Sequence, residues 1–153
     1  MFRLHPIALG SLLLALSLLA AAPGVKVQVV GGTLSALPAK TTVHLDLTGS
    51  ESLSLQSGAN YLVIPYQRIN TLEYGQNVSR RYAEAILISP VFLLAKSHKH
   101  FLTLGYVDAE GKQQAVVFRV DKGDIRSVLT GLEARTGRRV EFQDQEARKA
   151  GKG

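Results

Sequence analysis

Residues 113–137, QQAVVFRVDKGDIRSVLTGLEARTG, decide the fold. Gln113 to Val120 is rich in β-branched and aromatic residues and reads as a strand. Beyond it, Ile125, Val128, Leu129 and Leu132 fall at i, i+3, i+4 and i+7, while Arg126, Ser127, Thr130 and Glu133 point elsewhere. That spacing predicts an amphipathic helix lying against a core. Asp121 is the expected N-cap, and Asp124 places a negative charge near the orphan amides of the first turn. Gly137 can take the left-handed conformation just past the end, which gives a helix of about four turns.

Working outward, Phe101 to Val107 is apolar on both faces, and Asp108 to Lys112, with Gly111, is the turn that makes it the hairpin partner of Gln113 to Val120. At the other end of the chain, Val25, Val27 and Val29 alternate with Lys26 and Gln28 until Gly31 and Gly32. Thr33 to Lys40 is irregular around Pro38; Val43, Leu45 and Leu47 then alternate with His44 and Asp46 up to a turn at Thr48 to Glu51. Leu53 and Leu55 lie on the return strand, Ser57 to Asn60 is a turn, and Tyr61 to Ile64 is a strand cut by Pro65, which cannot donate to a ladder. Ile69, Leu72 and Tyr74 continue a bent, half-buried strand to Gly75. Val140 to Phe142 is expected as a short closing strand or an extended tail, and the polar Gln143 to Gly153 as a frayed, flexible end. The expected class is mainly β (α+β), an antiparallel β-barrel or sandwich of about seven strands closed by one C-terminal amphipathic helix.

Composition fits one domain with a packed core: 46% of the 153 residues are hydrophobic and 20% charged. With no cysteine, neither a disulfide framework nor a thiolate metal site is available. The formal charge is +6, a surplus that suits anionic partners or simply solubility.

Residues 1–24 have the three parts of a secretory signal: Arg3, the apolar run Ile7 to Ala20, and small residues for cleavage after Ala22 or Gly24. The expectation is export, periplasmic or secreted, followed by a single domain over 25–142. The alternative is an uncleaved N-terminal membrane anchor, for which the run is short against the ~20 residues a span needs.

The segment Gln76 to His100 departs from the strand grammar. Its apolar residues are interrupted by Glu84, Ser89 and Pro90, and Arg80 and Arg81 on one side face Lys96, His98, Lys99 and His100 on the other. An apolar loop between basic clusters would dip into an anionic membrane surface. On that reading Arg80, Arg81, Lys96, His98, Lys99 and His100 meet head groups, and Ile88, Val91, Phe92 and Leu93 make the apolar contact. The other reading is two more core strands with solvated turns.

Strands in hairpins followed by one C-terminal helix, with Ile64, Pro65, Tyr66, Ile69, Leu72, Glu73, Tyr74 and Gly75, then Phe101 to Tyr106, Asp108, Gly111 and the helix ending Glu133 to Gly137, resemble the bacterial pleckstrin-homology-like domains. The resemblance spans roughly residues 40–142 and implies a binding module rather than a particular chemistry. A phosphoinositide-binding member would be expected to carry Lys and Arg on its first hairpin, whereas Thr42 to Gln56 has none.

No motif points to catalysis. His98 and His100 at i, i+2, with His44, lack a matching carboxylate for a metal; Asp108 with Glu110 belongs to a turn and Asp121 with Asp124 to a helix start. There is no Gly-x-Ser-x-Gly elbow, His-Glu-x-x-His or phosphate-cradling loop. Asn77-Val78-Ser79 is formally a glycosylation sequon. Arg135, Arg138, Arg139, Arg148 and Lys149 gather cations near the helix end, as the dipole favours, but without interleaved aromatics, so no nucleic-acid partner is expected. The expected function is therefore an exported, non-catalytic binding module with no cofactor or metal, engaging a partner protein or an anionic membrane surface. The alternative is a structural or assembly protein, a homo-oligomer or membrane-contacting form built through the loop 76–100.

Overall fold

A computed structural model describes residues 24–77, the backbone of 87–88, and 99–152. The strands are β1 (Val25–Gly32), β2 (Thr42–Asp46), β3 (Ser52–Ser57), β4 (Asn60–Pro65), β5 (Ile69–Gly75), β6 (Leu87–Ile88), β7 (His100–Val107), β8 (Gln113–Val120) and β9 (Glu141–Phe142). The helices are α1 (Ile125–Thr136) and α2 (Gln145–Lys152), with a 3-10 turn at Tyr66–Arg68. They form one sheet in the order β4-β3-β2-β1-β8-β7-β5-β9, with β6 paired to β1. All pairings are antiparallel except β5 with β9.

The mainly β class holds, and the expected barrel does not: the sheet ends at β4 on one side and at β9 on the other. The reason is local. Pro65 and the 3-10 turn after it end the first meander, β1 to β4, and β5 then pairs with β7 instead of with β4. The two meanders join through β1, whose first half pairs with β2 and whose second half pairs with β8. A bulge between Val29 and Gly31 marks the change, and it breaks the alternation so that Val29 and Val30 are both fully buried.

The central core lies on one face of this sheet. Val27 and Val43 are paired across β1 and β2, Leu45 and Leu55 across β2 and β3, and Leu102 and Phe118 across β7 and β8. Ile125, Val128, Leu129 and Leu132 of α1 pack on them, the four positions that the helical spacing selected. Each such side chain contributes roughly 1.5–3 kcal/mol on leaving water.

The ends of α1 differ from expectation at one end only. The backbone carbonyl of Asp121 accepts from both Asp124 and Ile125, so Asp121 to Asp124 form a turn and the helix proper starts at Ile125, with about three turns. Asp124, the N-cap, makes no side-chain capping bond. At the other end Gly137 is left-handed at φ 68° and its N–H donates to the Glu133 carbonyl, as anticipated.

One helix was expected and the described residues hold two, because residues 145–152 form a helix instead of an irregular tail. Asp144 caps α2 by accepting from the Ala147 N–H at 2.7 Å, with Glu146 in the first turn and Lys149 and Lys152 in the last. The helix seats on small residues: Ala147 is fully buried, and a Cβ on Gly151 would lie 2.7 Å from the Phe142 ring and 3.3 Å from both Leu129 and Tyr74. β9 holds the approach to it, since the Gln143 N–H donates to the Tyr74 carbonyl and the Gln143 amide to Glu73. Among the described residues no helix is long and apolar enough to cross a membrane.

Candidate functional site

Among the hollows on the surface of the described residues, two flank α2 and one lies on the first meander. The first, of ≈ 500 Å³, lies where β5 ends and β7 begins and is lined by Gln76, His100, Lys122, Arg126, Glu146, Lys149 and Ala150. Lys122 comes from the turn after β8, Arg126 from the first turn of α1, and Glu146 and Lys149 from α2. Docking of α2 is what carries Lys149 to Lys122 and Arg126. None of these three cations is paired with a carboxylate among the described residues.

At the base of this hollow sits a buried polar pair. His100 is 9% exposed, and its Nδ1 lies 2.5 Å from the Tyr74 hydroxyl, with the two rings stacked at 5.9 Å and 12°. Phe142 meets Tyr74 edge-on at 5.9 Å. Burial raises the Tyr74 pKa, with Asp144 adding to it, and burial lowers that of His100, with the nearby Lys122 charge adding to it. Both groups are therefore neutral at pH 7. A phenol is the better donor and a neutral imidazole nitrogen the better acceptor, so the Tyr74 hydroxyl donates to Nδ1 and Nε2 keeps the ring proton.

The second hollow, of ≈ 370 Å³, is lined by Glu133, Gly137, Arg138, Arg139, Val140, Phe142, Arg148 and Lys152. Glu133 accepts from the Val140 N–H and Arg138 Nε donates to the Ile69 carbonyl, which fixes the turn after α1. Arg148 and Lys152 stand over the Phe142 ring at 5.9 and 5.4 Å from its centre, a cation–π arrangement that holds both charges at the rim. The third hollow, of ≈ 390 Å³, lies on the outer face of the first meander, lined by His44, Asp46, Ser54, Gln56 and Tyr61 among others.

Of the residues expected to meet an anionic surface, Arg80, Arg81, Lys96 and His98 lie outside the described residues, as do Val91, Phe92 and Leu93 of the apolar contact. The backbone of Ile88 belongs to β6 and is paired with Gly31. Lys99 is half-buried just before β7. His100 corrects the expectation of a solvated cation: it is the first residue of β7, shares the inward parity of Leu102, Leu104 and Tyr106, and is turned to Tyr74. That parity was the missed signal. His44 is exposed on β2, and among the described residues no group of three or more His, Cys, Asp or Glu is placed to hold a metal ion.

No protein-family model matches the chain, and no curated protein matches it either.

Proposed function

We propose that the protein is an exported, non-catalytic binding module that engages an anionic surface through the basic face around α2. The observation that carries this reading is the convergence of Lys122, Arg126, Arg138, Arg139, Arg148, Lys149 and Lys152 on the two hollows beside one short helix, against Glu133 and Glu146 alone. Arg126 and Arg138 sit at opposite ends of α1, about 18 Å apart along its axis at ~1.5 Å per residue, so with a screening length of about 8 Å the cations act as one group at each hollow. Near an anionic bilayer each contributes about 1 kcal/mol. Phe142 is covered by two of them and offers no open ring for a base to stack on, which favours a surface over a nucleic acid.

The pleckstrin-homology-like resemblance is supported by the order of elements: a four-strand meander, then β5, β7 and β8 as a second meander, then a helix packed on the sheet. The case for export is the tripartite pattern of residues 1–24. Sedimentation with vesicles tests the reading: pelleting with anionic but not with neutral vesicles at low salt supports it, and no pelleting with either removes it.

One observation favours a second reading, assembly between copies. Among the described residues β4 pairs only with β3; it carries no charged residue and exposes Tyr61 by 64% and Val63 by 45%. An uncharged open edge has nothing to repel the same edge of a second copy, and two-fold antiparallel pairing would continue the sheet. A strictly monomeric mass in solution at high concentration excludes it. The loop 76–100, expected to serve self-association, lies largely outside the described residues.

A further inference from the structure

The hollow between His100 and α2 contains a hydrogen-bond donor without an acceptor among the described residues. Nδ1 of His100 is taken by Tyr74, and Nε2 has no partner among the described residues. No fully buried side-chain nitrogen or oxygen of the described residues lacks a partner, so Nε2 is reached from the hollow that its ring lines. The proton on Nε2 therefore opens on a space edged by three cations that pair with no carboxylate among the described residues, with Glu146 as the one acid among the described lining residues.

A fixed ring nitrogen and mobile ammonium and guanidinium groups approaching from separate elements suit an acceptor with oxygens in several directions and more than one negative charge. A carboxylate offers two coplanar oxygens and one charge. A phosphate group offers three or four oxygens and close to two charges, which matches three cations less one carboxylate. The Tyr74 hydroxyl on Nδ1 holds the imidazole in place, so the donor is oriented before the anion arrives.

We propose that this hollow binds one phosphate group, with His100 Nε2–H as its oriented donor and Lys122, Arg126 and Lys149 as its counter-charges. The site deepens the anionic-surface reading and rests on it for its biological source, a lipid headgroup phosphate or a free phosphate or phosphomonoester. The contact to a neutral imidazole gives it a discrete stoichiometry that a diffuse basic face lacks.

The test is a titration of the protein with inorganic phosphate, and separately with a short-chain phosphatidic acid below its micelle concentration, at constant ionic strength made up with chloride. Binding is read by calorimetry and by the nitrogen resonances of the His100 ring. The site predicts saturable one-to-one binding with a shift at His100 Nε2, and a Kd raised about tenfold or more in Lys149→Gln, an exposed position whose loss leaves the fold intact. His100→Gln, which keeps an acceptor for Tyr74 but moves the donor, should weaken binding to a similar degree. If both anions bind and compete, the headgroup is a competent source; if inorganic phosphate alone binds, the source is a solute. Linear shifts that chloride reproduces, or a Kd unchanged in Lys149→Gln, overturn the site even if vesicle binding persists. Phosphate binding at His100 without vesicle binding keeps the site and removes the surface reading.

Discussion

Tyr74, just before the stretch that departs from strand grammar, and His100, at its end, meet in the fold, hydroxyl to Nδ1 at 2.5 Å, with near-parallel rings whose centres are 5.9 Å apart. The contact ties the end of β5 to the start of β7. It holds a titratable base in a place where its charge is opposed.

Because His100 has its pKa lowered in the folded state, first by burial and then by Lys122, the unfolded chain binds the proton more readily. Its stability contribution is complete above the unfolded value of about 6.5 and is lost as the pH falls through the depressed folded value. The groups facing it are Tyr74 below and Lys122, Arg126, Glu146 and Lys149 around the hollow, with Asp144 acting on Tyr74. The expected outcome is a urea midpoint that falls between pH 7 and pH 5 in the natural protein and falls less in His100→Gln. Equal slopes in the two proteins would assign the dependence to other groups.

Leu129 is 3% exposed in α1 and joins the central core to α2. Leu129→Asp places an uncompensated charge there and should cost more than ~3 kcal/mol in chemical denaturation. A variant with the natural midpoint would contradict the placement of the helix.

Gly151 is where α2 comes down on Phe142, Leu129 and Tyr74. A valine there has no room without moving backbone or ring, so Gly151→Val should lose about 1–3 kcal/mol and release α2. Faster amide exchange confined to residues 145–152 and their Phe142 and Tyr74 neighbours is the expected signature. Undisturbed exchange in α2 would mean that the helix is held by something other than this close approach.

Much of the scaffold was legible from residues 113–137, since a strand and a helix differ in period and Gly137 marks the end. β7 also showed itself, because apolar residues on both faces announce a strand covered on both sides, and all but its last residue are buried. Barrel closure was not legible. It depends on the pairing of β5 with β7 after Pro65, and period-two patterns do not name a strand's neighbour. α2 was missed because its buried side consists of Ala147, Ala150 and Gly151, which give almost no apolar stripe. Its local marks were present in Asp144 at the cap, Glu146 early and Lys149 and Lys152 late.

The site followed the same logic. Lys122, Arg126 and Lys149 are far apart in sequence and meet only because α2 docks beside Tyr74 and His100. The helix dipole explains cations near a helix end such as Arg138 and Arg139, but not their convergence with Arg148 and Lys152 on one hollow, where the last two stand over the Phe142 ring. His100 was readable in principle: counting back by twos from Tyr106, Leu104 and Leu102 places it on the core face.

The most direct measurement of the central claim compares two variants that lose the same charge. In one, Arg138, Arg139, Arg148 and Lys152 are replaced by Gln; in the other, Lys26, Lys40, Arg68 and Lys112, which lie off the α2 face, are replaced likewise. Cosedimentation with anionic vesicles at low salt should fall at least tenfold for the first and change less than threefold for the second, on about 1 kcal/mol per surface cation. Equal losses would mean that net charge alone drives binding, and an unaffected first variant would contradict the assignment of the binding face to α2.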